Sequence, residues 1–126
     1  MRKLFIPLGG LFLAIGFAHA ANAVLDMELM QNVEDVNKSM ASSIALRDAP
    51  ASIKDAEELH ELFKVVEGHY QAKPDAPDGL ELSRKSLTLT KKIRDQVGAK
   101  DFEGASDSAT ELARTCRACH TFYKQS

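Results

Sequence analysis

Four stretches with helical spacing constrain the fold of this chain more than any other feature. In each stretch, apolar residues recur at steps of three and four, which is the spacing of one face of an α-helix. No run shows the alternation of apolar and polar residues that is typical of a strand. The connections are short, and short connections join neighbouring helices that run in opposite directions. The sequence therefore predicts an all-α fold, an antiparallel up-down-up-down four-helix bundle.

A short break separates the first two helices. The first runs from Leu25 to about Ile44, and residues 47–50, with the sequence Arg-Asp-Ala-Pro, indicate a turn followed by a capped restart. The second helix ends before residues 73–79, a segment with two prolines that cannot continue a helix. The inward-facing residues expected on these helices are Leu25, Leu29, Val33, Val36, Met40 and Ile44, then Ile53, Ala56, Leu59, Phe63, Val66 and Tyr70.

The last two helices are predicted from capping residues as well as from spacing. Asp78 and Glu81 form a capping pair that would open the third helix, and Gly98 is its expected C-cap. The fourth helix is expected to start near Asp101. The expected inward-facing residues are Leu80, Leu82, Leu87, Leu89, Ile93 and Val97, then Phe102, Ala105, Ala109, Leu112, Ala113, Cys116, His120 and Tyr123.

Residues 1–20 have the composition of a secretory signal peptide. Two basic residues precede an apolar segment that ends at Ala18-His19-Ala20, a small-x-small cleavage site. A membrane anchor is the weaker interpretation, because the apolar run is short and is interrupted by a proline and two glycines. Cleavage after Ala20 would leave residues 21–126, enough for one small domain with no membrane span.

The net charge and the number of cysteines limit which partners and which cellular compartment are expected. The formal net charge is −2, and it becomes −4 once the two basic residues of the leader are removed. Nucleic acid is not expected as a partner, since its phosphates require a basic face. The two cysteines belong to one motif, which excludes a disulfide framework. An exported, mildly acidic domain of this kind is expected in the bacterial periplasm.

The motif is Cys116-Arg117-Ala118-Cys119-His120, or C-x-x-C-H, close to the end of the chain. This pattern is typical of covalent haem attachment, in which two thiols add to the haem and the histidine coordinates the iron. On a helix the first cysteine and the histidine share one face, with the second cysteine beside them. A reactive dithiol or disulfide in a haem-free helical module remains an alternative. Zinc is a further one, although His120 would leave that site a ligand short.

The ligand opposite His120 decides what such a haem does. Met30 lies at the edge of the first helix's apolar stripe, whereas Met27 lies on the polar side and Met40 is about 15 Å further along the helix. In an up-down-up-down bundle, the start of the first helix lies beside the end of the fourth. Met30 and the motif are therefore expected at the same end of the bundle. A thioether ligand favours ferrous iron and electron transfer, whereas an open position favours gas binding.

Other side chains could contribute to the same site. His60 and His69 lie beside the apolar stripe of the second helix, and one of them would be needed for a bis-histidine haem; a boundary histidine with a hydrogen bond is the alternative. Arg114, Arg117 and Lys124 flank the motif and could pair with haem propionates, although basic residues near a helix C-terminus also favour the helix dipole.

With these residues in place, the chain resembles the class II cytochromes c, the cytochrome c′ and c-556 group, and is similar to the cytochrome b-562 type of four-helix haem protein. The resemblance rests on residues 29–35 (Leu-Met-Gln-Asn-Val-Glu-Asp), 53–56 (Ile-Lys-Asp-Ala), 111–115 (Glu-Leu-Ala-Arg-Thr) and 118–120 (Ala-Cys-His). It implies axial ligation by Met30 and His120. The b-type members lack both cysteines, whereas this chain has them, as the c-type members do.

The function expected from these observations is that of a periplasmic monohaem c-type cytochrome, a one-electron carrier rather than an enzyme. One haem c per chain would be held by Cys116 and Cys119, with iron ligated by His120 and Met30. Its partners would be redox proteins, and the chain would be a monomer or a homodimer. The alternative is a five-coordinate, cytochrome c′-type protein that binds nitric oxide or carbon monoxide.

Overall fold

A computed structural model describes residues 25–123 of the chain. These residues form four helices in the order α1 (Met27–Ala45), α2 (Ala49–Gln71), α3 (Pro77–Gly98) and α4 (Phe102–Tyr123). No strand occurs within this range. The prediction of an all-α four-helix bundle is confirmed. The predicted signal peptide, residues 1–20, and Lys124 lie outside the described residues.

Successive helices pack against each other, and α1 also packs against α4. Contacting residues show that α2 and α3 run in opposite directions, as do α3 and α4, because residue numbers rise along one helix while they fall along its neighbour. The end of α1 lies beside the start of α4. The pairs are His60–Thr90 and Glu67–Arg84 between α2 and α3, Lys85–Glu111 and Gln96–Ser108 between α3 and α4, and Arg47–Phe102 between the α1–α2 turn and the start of α4.

Each helix contributes one large, fully buried side chain to the centre of the bundle. These side chains are Met40, Leu59, Ile93 and Leu112, one from each helix in order. Met27, by contrast, is 86% exposed. The sequence prediction that Met40 is a core residue and that Met27 lies on the polar side of α1 is therefore confirmed. No helix between residues 25 and 123 has both the length and the apolarity needed to cross a membrane.

Aspartates cap three of the four helices, and the third of them, Asp101, accepts from the Gly104 amide at 2.9 Å at the start of α4. Asp26 accepts a hydrogen bond from the backbone amide of Leu29 (2.8 Å) at the start of α1. Asp48 does the same for α2, where its carboxylate accepts from the Ala51 amide at 3.1 Å. The residue before it, Arg47, has a φ of 55° and reverses the chain. The predicted break and capped restart at residues 47–50 is thus confirmed.

The predicted termini of α3 are wrong at both ends. The helix begins at Pro77, after Ala76, and no side chain caps it; Asp78 lies in the first turn instead of acting as the N-cap. Proline at the first position explains this, because it presets the helical φ and has no amide hydrogen that needs a partner. At the other end, Gly98 stays helical, and Lys100 adopts the left-handed conformation with a φ of 60°.

The inner face of α3 also differs from the expected leucine stripe. Leu89, Ile93 and Val97 are buried as predicted, but the leucines at positions 80, 82 and 87 are only partly buried. Three hydroxyl residues take innermost positions in the first two thirds of the helix: Ser83, Ser86 and Thr90. Each donates to a carbonyl of the preceding turn, so burial leaves no donor unsatisfied.

Candidate functional site

All four helices contribute to a cavity of about 330 Å³ at the end of the bundle where α1 starts and α4 ends. This volume lies in the range of cofactor and small-molecule sites. Its apolar wall is formed mainly by Val33 on α1, Phe63 and Val66 on α2, and Leu82 on α3. Such a wall suits a large apolar ligand that excludes water.

The residues that the sequence predicted for the site line this one cavity. Met30 reaches it from α1, and Cys116, Cys119 and His120 reach it from α4. Met30 is half-buried and His120 is exposed. The antiparallel order of α1 and α4 accounts for the meeting, because it brings the first turns of one helix to the last turns of the other. The role of these residues as haem ligands stays a prediction.

Both cysteines are free thiols and both are half-buried in the cavity wall. Burial, together with the proximity of Cys119, raises the pKa of the Cys116 thiol from 9.0 to about 11. Burial also raises the pKa of the Cys119 thiol, although a hydrogen bond from the Tyr70 side chain opposes the rise. At neutral pH both sulfurs are therefore protonated, which does not favour rapid thiolate exchange of the thioredoxin type.

Two serines of α3 also line the cavity. Ser83 donates to the carbonyl of Leu80 at 2.8 Å, and Ser86 donates to that of Leu82 at 2.9 Å. Because their hydrogens are used within the helix, these small side chains widen the cavity without presenting a free donor. They were not predicted, because the inner face of α3 was expected to consist of leucines. The available signal was the helical spacing of three and then four residues from Ser83 through Ser86 to Thr90.

A second cavity, of about 210 Å³, lies between α1 and α4 and shares Asn37, Ala113 and Arg117 with the first. Arg117 is the basic residue at this junction, so it is placed to meet an acidic group of a ligand. Arg114 points elsewhere and pairs with Glu111 at 3.5 Å. Of the residues proposed to contact propionates, Arg117 therefore lies at the cavity and Arg114 does not.

The other two histidines are engaged away from the motif. His60 contacts the Thr90 hydroxyl through Nδ1 at 2.9 Å and lines a separate groove between α2 and α3. Thr90 uses its own hydrogen on the Leu87 carbonyl, so the His60 ring nitrogen must be the donor. His69 packs edge-on against Tyr70, with 5.1 Å between the ring centroids. The interpretation of both as boundary histidines agrees with these contacts.

The donor set at the cavity fits a covalently attached haem. Two free thiols three residues apart, an adjacent imidazole and a thioether from a facing helix are the groups that such attachment and ligation use. A zinc site would need further ligands, and residues 25–123 include no cluster of three or more histidine, cysteine, aspartate or glutamate side chains arranged to hold a metal ion.

No protein-family model, curated protein or solved structure matches the chain.

Proposed function

We propose that this protein is an exported monohaem c-type cytochrome that carries single electrons between redox proteins. Cys116 and Cys119 would hold the haem by thioether bonds, and His120 and Met30 would ligate its iron. When bound, the haem supplies a one-electron couple at its iron. The proposed compartment is the periplasm, on the basis of residues 1–20.

One observation carries the proposal: a thioether on α1 and the C-x-x-C-H side chains on α4 line a single apolar cavity. Neither feature alone is specific, because a methionine at helical spacing is usually a packing residue. Met30 differs from Met40, which is fully buried in the core, and from Met27, which faces solvent. It is the methionine whose side chain borders the same space as His120.

The protein's own residues would set the properties of the carrier. The thioether of Met30 donates a neutral sulfur, which favours the ferrous state and raises the reduction potential. Val33, Phe63 and Val66 exclude water from the wall, which lowers the local dielectric and disfavours the additional charge of the ferric state. The half-buried position of Met30 keeps one face of the ligand close to the surface, where a partner can approach.

Covalent attachment is tested by the mass of the full chain, expressed for export in a bacterium that matures c-type cytochromes. The expected protein carries the mass of one haem that resists acid-acetone extraction, and it lacks residues 1–20. Cys116→Ser and Cys119→Ser should each leave one attachment bond, and the double variant should leave none. A wild-type protein with two free thiols and no haem would overturn the proposal and favour the haem-free module.

Distal ligation is tested by a matched pair of methionine variants. The ferric wild type should be low-spin and show a sulfur-to-iron charge-transfer band. Met30→Ala should lose the band and become high-spin, whereas Met27→Ala, at a side chain 86% exposed, should keep it. A wild type that is already high-spin and binds carbon monoxide readily contradicts the carrier and supports the gas-binding alternative.

A further inference from the structure

The cavity between α1 and α4 differs in chemistry from the larger cavity that it adjoins. Among residues 25–123, no acidic side chain lines it, and Arg117 is the only charged residue that does. The larger cavity has a mainly apolar wall, and the one acidic side chain that borders it, Glu34, forms an ion pair with Lys38 at 2.7 Å. Asn37, Ala113 and Arg117 border both cavities, so one ligand can extend from the first into the second.

Arg117 is the only arginine between residues 25 and 123 whose side chain forms no ion pair, hydrogen bond or ring contact. The other four pair with a carboxylate or lie over an aromatic ring; they are Arg47, Arg84, Arg94 and Arg114. A guanidinium presents its hydrogens in a planar fork that matches the two oxygens of a carboxylate. The unpaired fork of Arg117 therefore marks the junction of the two cavities as a place for an acidic group.

Asn37 contributes a second set of donors from the facing helix. It is half-buried on α1, and its side-chain amide forms no hydrogen bond within the described residues. The amide nitrogen carries two hydrogens that can be donated. Because Asn37 and Arg117 border the same two cavities from different helices, a carboxylate at the junction would accept hydrogen bonds from both α1 and α4.

We infer that Arg117 and Asn37 bind a propionate of the haem at the junction of the two cavities. The inference rests on the function proposed above and extends the haem site from the ring to its acidic side groups. A haem combines a flat apolar ring with two carboxylates. The joined cavities offer the matching combination, with an apolar wall in one and an unpaired cation in the other.

A different role for Arg117 is to interact with the dipole at the C-terminal end of α4, as basic residues there commonly do. Arg114 separates the two roles. It is also exposed and lies three residues earlier on the same helix, but it pairs with Glu111 at 3.5 Å and lines neither cavity. Arg114→Ala is therefore the matched control, because it removes a cation from the same end of α4 and leaves the proposed contact intact.

Metal-free protoporphyrin and its dimethyl ester are the probes, because they share the ring and differ in the charge of the two propionates. Without iron, the binding of either probe does not depend on ligation by His120 or Met30. Fluorescence titration of the full chain produced without haem measures both affinities. The wild type should bind the diacid more tightly than the ester.

Arg117→Ala should weaken binding of the diacid roughly three- to thirtyfold and binding of the ester by less than about twofold, since water partly screens a charged contact at an exposed side chain. Asn37→Ala should show the same selectivity with a smaller loss, roughly two- to fivefold. Arg114→Ala should leave both affinities at the wild-type level. Equal losses for diacid and ester in Arg117→Ala, an unchanged affinity for the diacid, or a wild type that binds neither probe would overturn the inference.

The same titrations separate failure of this inference from failure of the proposed function. A chain that binds the diacid through Arg117 but carries no covalent haem after export would overturn the proposed function alone. An exported protein that carries covalent haem, and whose haem-free form binds diacid and ester equally, would overturn the propionate contact alone.

Discussion

Burial sets the chemistry of the Cys116 thiol in the haem-free chain. Its pKa is raised from 9.0 to about 11 because the thiolate would be desolvated and would lie close to Cys119. Between these values the unfolded chain has lost the proton and the folded chain keeps it. The unfolded state thus binds fewer protons, and the free energy of unfolding must fall as pH rises.

We therefore predict that the haem-free chain loses on the order of 2–3 kcal/mol of stability from this group between pH 9 and 11. Denaturant unfolding at several pH values measures the loss, and Cys116→Ala serves as the reference because it retains every other group that titrates in this range. Below pH 9 the two proteins should respond to pH alike. If the unfolding free energies of the two proteins changed equally between pH 9 and 11, the raised pKa of Cys116 would be contradicted.

Glycines at positions 68 and 79 should respond oppositely to the same substitution. Gly68 lies in α2 with open space around an added Cβ, whereas at Gly79 the Cβ would press on the Tyr70 ring. Gly68→Ala should stabilise the protein by about 0.5–1 kcal/mol, because alanine loses less backbone entropy in a helix. Gly79→Ala should destabilise it by about 1–3 kcal/mol, because the ring must shift.

Chemical denaturation of both variants in the haem-free chain checks this pair. A Gly79→Ala protein as stable as Gly68→Ala would show that the Tyr70 ring does not pack tightly against Gly79.

At the level of the helices, the turn between α3 and α4 contains a strained residue, Lys100, whose residue type does not predict its backbone conformation. Lys100 adopts a φ of 60°, a conformation that costs an ordinary side chain roughly 1–2 kcal/mol and that glycine adopts freely. Lys100→Gly should stabilise the protein by about 0.5–1 kcal/mol, as measured by denaturant unfolding. The control Lys92→Gly, in the body of α3, should destabilise it by about 1 kcal/mol.

The same turn explains which helix boundaries can be predicted from sequence. Spacing predicted most of the buried residues of α1, α2 and α4, because a surface helix must bury one continuous face. At the ends of the bundle it predicted too much burial, since Leu25 and Leu29 are only partly buried and His120 is exposed. The predicted C-cap at Gly98 was wrong, since a glycine permits the left-handed conformation without requiring it. The residue with that conformation is Lys100, two positions later. Spacing failed at Ser83 and Ser86 because hydroxyls that bond to their own helix can be buried at little cost.

For the whole molecule, the candidate site was predictable only where helix order decides the geometry. The meeting of Met30 with the motif follows from the antiparallel order of α1 and α4, which the short connections impose. The packing of the Tyr70 ring on Gly79 depends on the axial offset of α2 against α3. No periodicity within one helix contains that offset, because it results from the packing of all four side-chain layers.

The two cavities along α1 and α4 indicate where the haem-free bundle is weakest. The cavity of about 330 Å³ is lined by all four helices and adjoins the cavity of about 210 Å³ between α1 and α4, so α1 packs less closely against α4 along one side. Helix α3, in contrast, packs more extensively against α2 and α4 than α1 packs against its own two neighbours, α2 and α4. Segments with few buried contacts open at lower free energy than the core. Helix α1 should therefore be the first part of the bundle to open.

Native-state hydrogen exchange of the haem-free chain tests this directly. Amides of residues 33–40 in α1 should exchange at least tenfold faster than those of residues 86–93 in α3, a difference on the order of 1–2 kcal/mol in opening free energy. In the matured protein, ligation by Met30 would tie α1 to α4 and remove the difference. Met30→Ala should restore fast exchange in α1, whereas Met27→Ala should not. Equal exchange of α1 and α3 in the haem-free chain would show that the cavities leave α1 as firmly packed as the rest.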